Sequence, residues 1–142
     1  MTKRFRTCTY VLIFTVFMLS ITGCGQATRS PIVEVSGTIA YEDGDVLPEG
    51  TKVVLSPVLG GAGSAMAETD AAGNFSLKHV SGSSGAEVGN YTVELRSPPG
   101  MEQEFYSSVP SAYTDGGALA TTIPDDGGSI KLVLRKSRTR RR

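Results

Sequence analysis

The stretch Val33-Glu34-Val35-Ser36-Gly37-Thr38-Ile39-Ala40-Tyr41-Glu42 decides the fold class of this chain. Val33, Val35, Ile39 and Tyr41 share one face, and Glu34, Ser36, Thr38 and Glu42 share the other. Successive side chains of an extended chain point to opposite faces, so an apolar period of two predicts a strand with one buried side. Gly37 falls on the apolar face with no side chain to bury, which predicts a bulge or a close approach by another segment.

Downstream, Glu42-Asp43-Gly44-Asp45 and Pro48-Glu49-Gly50 carry turn chemistry, and Lys52 to Pro57 reads as a second strand with Val53 and Leu55 inward. Gly60 to Ser64 reads as a flexible loop. Ala65 to Thr69 is a weak strand that runs into Asp70-Ala71-Ala72-Gly73-Asn74. A hairpin is expected there, because the Asp70 side chain can bond the backbone two residues on and Gly73 takes positive φ without steric cost.

Phe75 and Leu77 then alternate with Asn74, Ser76 and Lys78, and the Gly- and Ser-rich Ser81 to Gly89 separates them from Tyr91, Val93 and Leu95. After Pro98-Pro99-Gly100, Glu102 to Tyr106 is expected as a short edge strand and Pro110 to Gly117 as a loop. Leu119, Thr121 and Ile123 predict a strand. The turn Asp125-Asp126-Gly127-Gly128 leads to the last inward row, Ile130, Leu132 and Leu134.

No segment of this body keeps helical periodicity beyond two turns. The expected fold is all-β, an antiparallel β-sandwich of about seven short strands, Ig-like in its stacking of two sheets, with a closed barrel as the alternative.

Upstream, Lys3, Arg4 and Arg6 precede an almost wholly apolar run from Tyr10 to Ile21, and small residues lead to Cys24. That order is the order of an export signal. A run of twelve residues falls short of the roughly twenty that a bilayer-crossing helix needs, so removal is expected rather than a permanent span. Ile21-Thr22-Gly23-Cys24 resembles the lipobox of bacterial lipoproteins. The resemblance implies diacylglyceryl transfer to the Cys24 sulfur, cleavage between Gly23 and Cys24, and acylation of the new N-terminus. Acyl chains anchor firmly because each buried methylene contributes about 0.8 kcal/mol.

Gly25 stands where an Asp favours inner-membrane retention in lipoproteins of Gram-negative cells. The expected place is therefore the outer membrane, facing the periplasm or the exterior. Phe5 separates Arg4 from Arg6, so no twin-arginine pair is present and the general export route is expected. The domain reading is a signal peptide over 1–23, a tether over 24–31, a β-sandwich over 32–135 and a basic disordered tail over 136–142. Cleavage would leave 119 residues, enough for one domain. Cys8 would leave with the signal and Cys24 would be consumed by lipid, so no disulfide is expected.

The formal net charge of zero hides an asymmetry. Residues 24–134 hold five basic groups against all fourteen acidic ones, whereas residues 135–142 hold six basic groups and no acid. Charge alone makes Arg138, Arg140, Arg141 and Arg142 candidates for contact with an anionic envelope component. Export makes nucleic acid an improbable partner.

Four motifs recur in a telling order. They are Val35-Ser36-Gly37-Thr38-Ile39, Leu47-Pro48-Glu49-Gly50-Thr51-Lys52-Val53, Thr69-Asp70-Ala71-Ala72-Gly73-Asn74-Phe75 and Gly89-Asn90-Tyr91-Thr92-Val93. Together they resemble the carboxypeptidase regulatory-like domain, which implies a transthyretin-like β-sandwich and a non-catalytic accessory module over about residues 32 to 135. Val109-Pro110-Ser111-Ala112-Tyr113-Thr114-Asp115 is similar to the ending of small lipoproteins that carry this domain alone. Those proteins commonly have a lysine just before the tyrosine, where this chain has Ala112, so no role of that lysine carries over.

Few residues point to chemistry. His79 is the only histidine and is expected as a solvated or rim side chain at a strand end. No G-x-S-x-G elbow occurs, so the chain reads as no enzyme. A site joining His79 to a carboxylate and a serine would bring a hydrolase back. Glu42, Asp43 and Asp45, and Asp125 with Asp126, read as turn chemistry, with weak Ca²⁺ binding as the alternative if two loops joined. Gly60-Gly61-Ala62-Gly63-Ser64 lacks the lysine of a phosphate-binding loop, and no cofactor is expected. Tyr41, Phe75 and Tyr91 belong to inward rows, which leaves Tyr106 and Tyr113 as candidates for binding carbohydrate or peptide.

Overall fold

The structure is a computed structural model that describes residues 30–60 and 62–136. Ten strands and two short helices follow in the order β1 (Ile32–Val33), β2 (Val35–Tyr41), β3 (Lys52–Pro57), β4 (Ala65–Glu68), β5 (Asn74–Ser76), β6 (Lys78–His79), β7 (Ala86–Glu87), β8 (Gly89–Arg96), α1 (Glu102–Ser108), α2 (Ser111–Thr114), β9 (Leu119–Ile123) and β10 (Gly128–Leu134). The fold is an all-β sandwich and not a barrel. A three-stranded sheet, β10-β2-β5, faces a five-stranded sheet, β6-β4-β3-β8-β9, and β1 with β7 forms a small separate ladder.

Alternation accounts for the core. Val35, Ile39, Leu132 and Leu134 from one sheet, and Val53, Leu55, Val93 and Leu95 from the other, are buried while their chain neighbours face outward. Gly37 is a close approach rather than a bulge. It pairs with Phe75 across β2 and β5, and Phe75 Cζ occupies the space that a Cβ on residue 37 would need.

The turn forms as its chemistry predicts, but the expected hairpin does not: β4 lies in the five-stranded sheet and β5 pairs with β2, so the turn carries the chain from one sheet to the other. Asp70 Oδ1 accepts from the N–H groups of Ala72 at 2.9 Å and Asn74 at 2.8 Å, and Gly73 sits at φ 79°. A Cβ on Gly73 would collide with the Ile39 carbonyl oxygen, so glycine is required there twice over.

Three further expectations are corrected. Glu102 to Tyr106 is not an edge strand but the start of helix α1, in which Phe105 is buried and the Val109 N–H caps back onto the Phe105 carbonyl at 2.8 Å. Met101, Phe105 and Val109 fall at intervals of four, the helical stripe, and Glu102 with Glu104 favours the positive end of the helix. The Pro110 to Gly117 segment contains a second short helix, α2. The sheets are also not wholly antiparallel, because β10 runs parallel to β2, with Gly128 opposite Val35 and Leu134 opposite Tyr41. Strand alternation carries no information on direction, so the pairing sense was invisible in the pattern.

The sandwich has two poles. At the base lie the start of β2, the β7–β8 junction, the β3–β4 loop and the Pro124–Gly128 turn. Gly128 N–H bonds Glu34 O, Val88 N–H bonds Pro31 O, and Val58 N–H bonds Asn90 O. At the apex lie the β2–β3 connection, the end of β8 and the end of β10, where Tyr41 N–H bonds Asp45 O and Glu42 N–H bonds Leu134 O. Seven residues of β2 separate the poles by about 20 Å. Ser30 enters at the base and Lys136 leaves at the apex.

Candidate functional site

Gly23, Cys24, Arg138, Arg140, Arg141 and Arg142 lie outside the described residues. Among the described residues no helix is long and apolar enough to cross a membrane.

At the apex the root of the basic segment is clamped to the acidic turn. Lys136 Nζ stands 2.7 Å from Asp43 Oδ2, also contacts Asp45, and lies 5.4 Å from the centre of the Tyr41 ring. Arg135 Nε donates to Glu42 Oε1 at 2.6 Å, and the Arg135 N–H donates to the Tyr113 hydroxyl at 2.9 Å. The hydrogen bond from Lys136 holds the Asp43 carboxyl below its ordinary range, and the two carboxylates raise the Lys136 ammonium above its own. All these groups are solvated, so screening keeps each pair weak.

The clamp bears on the Ca²⁺ alternative. Asp43 and Asp45 are already engaged by an ammonium, and the second acidic loop, Asp125 with Asp126, sits at the base. The two loops do not join, and among the described residues no group of three or more His, Cys, Asp or Glu side chains could hold a metal ion.

The two candidate tyrosines have different surroundings. Tyr106 is 53% exposed, with its ring edge-on to buried Phe105 at 5.3 Å. Tyr113 is half-buried against the core and its hydroxyl is committed to Arg135, not loop-like as the sequence suggested. An open depression of about 1260 Å³ lies across outward strand faces, lined by residues such as Ser36, Thr38, Val54, Met66 and Lys78. Neither tyrosine lines it.

A buried polar cluster at the base escaped the sequence reading. His79 is not a solvated rim residue; it is 8% exposed, and Glu87, within the segment read as a mere separator, is 4% exposed. Ser81 supplies its hydroxyl at 2.7 Å and its N–H at 3.2 Å to His79 Nδ1. Because Nδ1 accepts the backbone N–H, the proton of the neutral ring is assigned to Nε2. Nε2 lies 3.3 Å from Glu87 Oε1, close enough for an ion-pair contact, yet the N–H direction misses the oxygen, and both Nε2 and Glu87 Oε2 lack a hydrogen-bond partner. We read the pair as electrostatic proximity, since alignment, not distance, makes the hydrogen bond.

Two neighbours close the cluster. Gly63 presses on the imidazole so tightly that a Cβ there would overlap Nε2. Tyr91 donates to the Glu87 carbonyl at 2.9 Å, and burial, followed by the nearby Glu87 charge, pushes the Tyr91 hydroxyl pKa up. A serine, a histidine and a carboxylate thus meet. The signal that could have found them is the Ala86-Glu87 pair, an alanine and an acid flanked by turn residues, but one acid in a Ser/Gly run gives no hint of burial.

No family model matches the chain, and no curated protein or solved structure matches it either.

Proposed function

We propose that this chain is a membrane-anchored lipoprotein of the bacterial cell envelope whose sandwich has a structural or interaction role and performs no catalysis. The observation that carries the reading is Ile21-Thr22-Gly23-Cys24 behind a short apolar run, a few residues ahead of β1. The acyl chains on Cys24 hold the domain at the membrane, and the outer membrane is its place. The resemblance to the carboxypeptidase regulatory-like domain belongs to the same proposal. What supports it is that Thr69 to Phe75, one of its four motifs, forms a tight turn closed by the Asp70 carboxylate.

The anchor is tested by feeding labelled fatty acid to cells that express the chain and its Cys24→Ala variant. Label enters the wild type and not the variant, and the variant keeps residues 1–23. Labelling that survives the change defeats the proposal.

A serine hydrolase is the second reading, favoured by the contact of Ser81, His79 and Glu87. Three features rank it lower. Nδ1 already accepts a backbone N–H from Ser81, Nε2 is not aligned on Glu87, and Gly63 covers the ring. These are the contacts of a turn fastened to an imidazole. A fluorophosphonate probe that labels Ser81, and is blocked by His79→Ala, would put this reading first. A carbohydrate- or peptide-binding module built on Tyr106 and Tyr113 retains only Tyr106 as a freely exposed ring.

A further inference from the structure

The base carries exposed apolar side chains that packing within the domain does not use. Leu59 is 75% exposed, Val80 68% and Val58 56%. Each follows a strand that ends at the base. Val58 and Leu59 continue β3, with the Val58 N–H on Asn90 O, and Val80 continues β6, with its N–H on Ser64 O. Acidic groups gather at the other pole, where the apex holds Glu42, Asp43, Asp45, Glu49 and Asp70. The base exposes Glu34, Asp125 and Asp126.

The chain's entry point selects what this surface meets. Seven Cα steps lead from Cys24 to Pro31, whose carbonyl the Val88 N–H holds at the base; they span at most about 25 Å fully extended and about 15 Å as a coil. The eight residues of β8 run from base to apex over about 25 Å. At its coil span an anchor on Cys24 keeps the base nearer the lipid than the apex, which lies farther off than that span. The far pole then carries Arg135 and Lys136 together with the acids they pair with.

We propose that the base of the sandwich, led by Leu59, Val58 and Val80, seats in the interfacial layer of the bilayer that holds the Cys24 acyl chains. Apolar side chains at loop tips enter the boundary between headgroups and acyl chains, where burial from water favours them and nearby backbone groups stay hydrated. The seat adds contacts along the base to the covalent anchor and so fixes the tilt of the domain. This inference rests on the lipid anchor proposed above.

The test uses the mature lipidated chain. Cys8 is absent from it and Cys24 is a thioether, so Gly60→Cys adds the single free thiol beside Leu59. A Cβ at residue 60 meets nothing within 4 Å and the glycine is not in the left-handed region. The thiol is coupled to an environment-sensitive nitrobenzoxadiazole dye, and the protein is reconstituted on phosphatidylethanolamine–phosphatidylglycerol vesicles with and without nitroxide-labelled lipid. Glu49→Cys supplies the same dye at the apex.

The dye at residue 60 is expected to shift to shorter wavelength on vesicles and to be quenched by nitroxide lipid, while the dye at residue 49 does neither. Val58→Ser with Leu59→Ser is expected to abolish the shift at residue 60 while the protein still floats with vesicles. A floating protein with an unshifted dye at residue 60 overturns the seat and leaves the anchor standing. A shift at both poles, or one that appears without vesicles through self-association, also overturns the seat. A chain that fails to float overturns the anchor, and the seat with it.

Discussion

Replacing Gly37 by alanine tests whether the two sheets close as described. An alanine Cβ at this position would stand 2.7 Å from the Ile130 carbonyl oxygen and 2.9 Å from Ile130 Cγ1, and closer still to Phe75 Cζ. Ordinary carbon contacts lie near 3.5–4.0 Å, so both neighbours must give way. Neither is free, because Phe75 is buried and the Ile130 carbonyl belongs to the β10–β2 ladder. Overpacking of this kind costs about 1–3 kcal/mol. Against it, removing a glycine from the unfolded chain stabilises by about 0.4–1 kcal/mol, a gain available here because Gly37 is not in the left-handed region. The net expectation is a loss of about 1–2 kcal/mol, which lowers the melting temperature by roughly 4–16 °C for a domain of this size. Urea unfolding of the wild type, Gly37→Ala, Phe75→Leu and the double variant completes the test. The double variant should be less destabilised than the sum of the singles by about 1 kcal/mol, since the shorter side chain vacates the disputed space. Gly60→Ala, with open space around it, should leave stability unchanged or slightly raised. A Gly37→Ala protein as stable as the wild type, or an additive cycle, would refute the packing of Phe75 over Gly37.

Asp70 gives a pH-dependent prediction. Its carboxyl is held below the ordinary value of 3.8 chiefly by the Asn74 side-chain amide, then by the N–H groups of Asn74 and Ala72. A depressed carboxylate contributes stability that is present above its unfolded value and lost as pH falls through its folded one. Asp70→Asn should therefore be less stable than the wild type at pH 7, and the gap should close in acid below pH 3.8; a gap that does not depend on pH would count against the charge-assisted turn. For the basic segment, vesicle-anchored protein should cluster a second population of anionic vesicles, less so at high salt. Deleting residues 137–142 should abolish clustering without moving the melting temperature, since Lys136 keeps its bonds to Asp43 and Asp45. Clustering that survives the deletion would remove the tail from any anionic contact.

The β2, β3 and β8 strands and the Asp70 turn were legible because a half-buried strand writes its burial into every second residue, and because tight turns admit few residue types; that the turn joins two sheets rather than two paired strands was not. Helix α1 was misread because seven residues hold barely two helical turns, too few for a period of 3.6 to stand out from a period of two. The strands β1, β6 and β7 are two residues each and leave no period at all. The burial of His79 and Glu87 has the same origin. Their surroundings are made by Gly63, Tyr91 and Ser81, which only the folded chain assembles, and neither residue type carries an apolar pattern to announce it.

The strand direction that sequence could not supply is also the one with the largest functional consequence. Had β10 run antiparallel to β2, the chain would leave the sandwich at the base, beside the tether, and the arginines after Lys136 would lie at the bilayer that holds the anchor. Parallel pairing of Gly128 with Val35 and Leu134 with Tyr41 sends the chain out at the apex instead. Tyr113, Glu42, Asp43 and Asp45 then grip Arg135 and Lys136 at that exit, so the polarity is held by side chains as well as by the ladder. With the proposed anchor at one pole, a cationic segment that starts some 20 Å away at the other would make the domain a spacer. On that proposal a partner for residues 137–142 is to be sought in a second anionic surface facing the first.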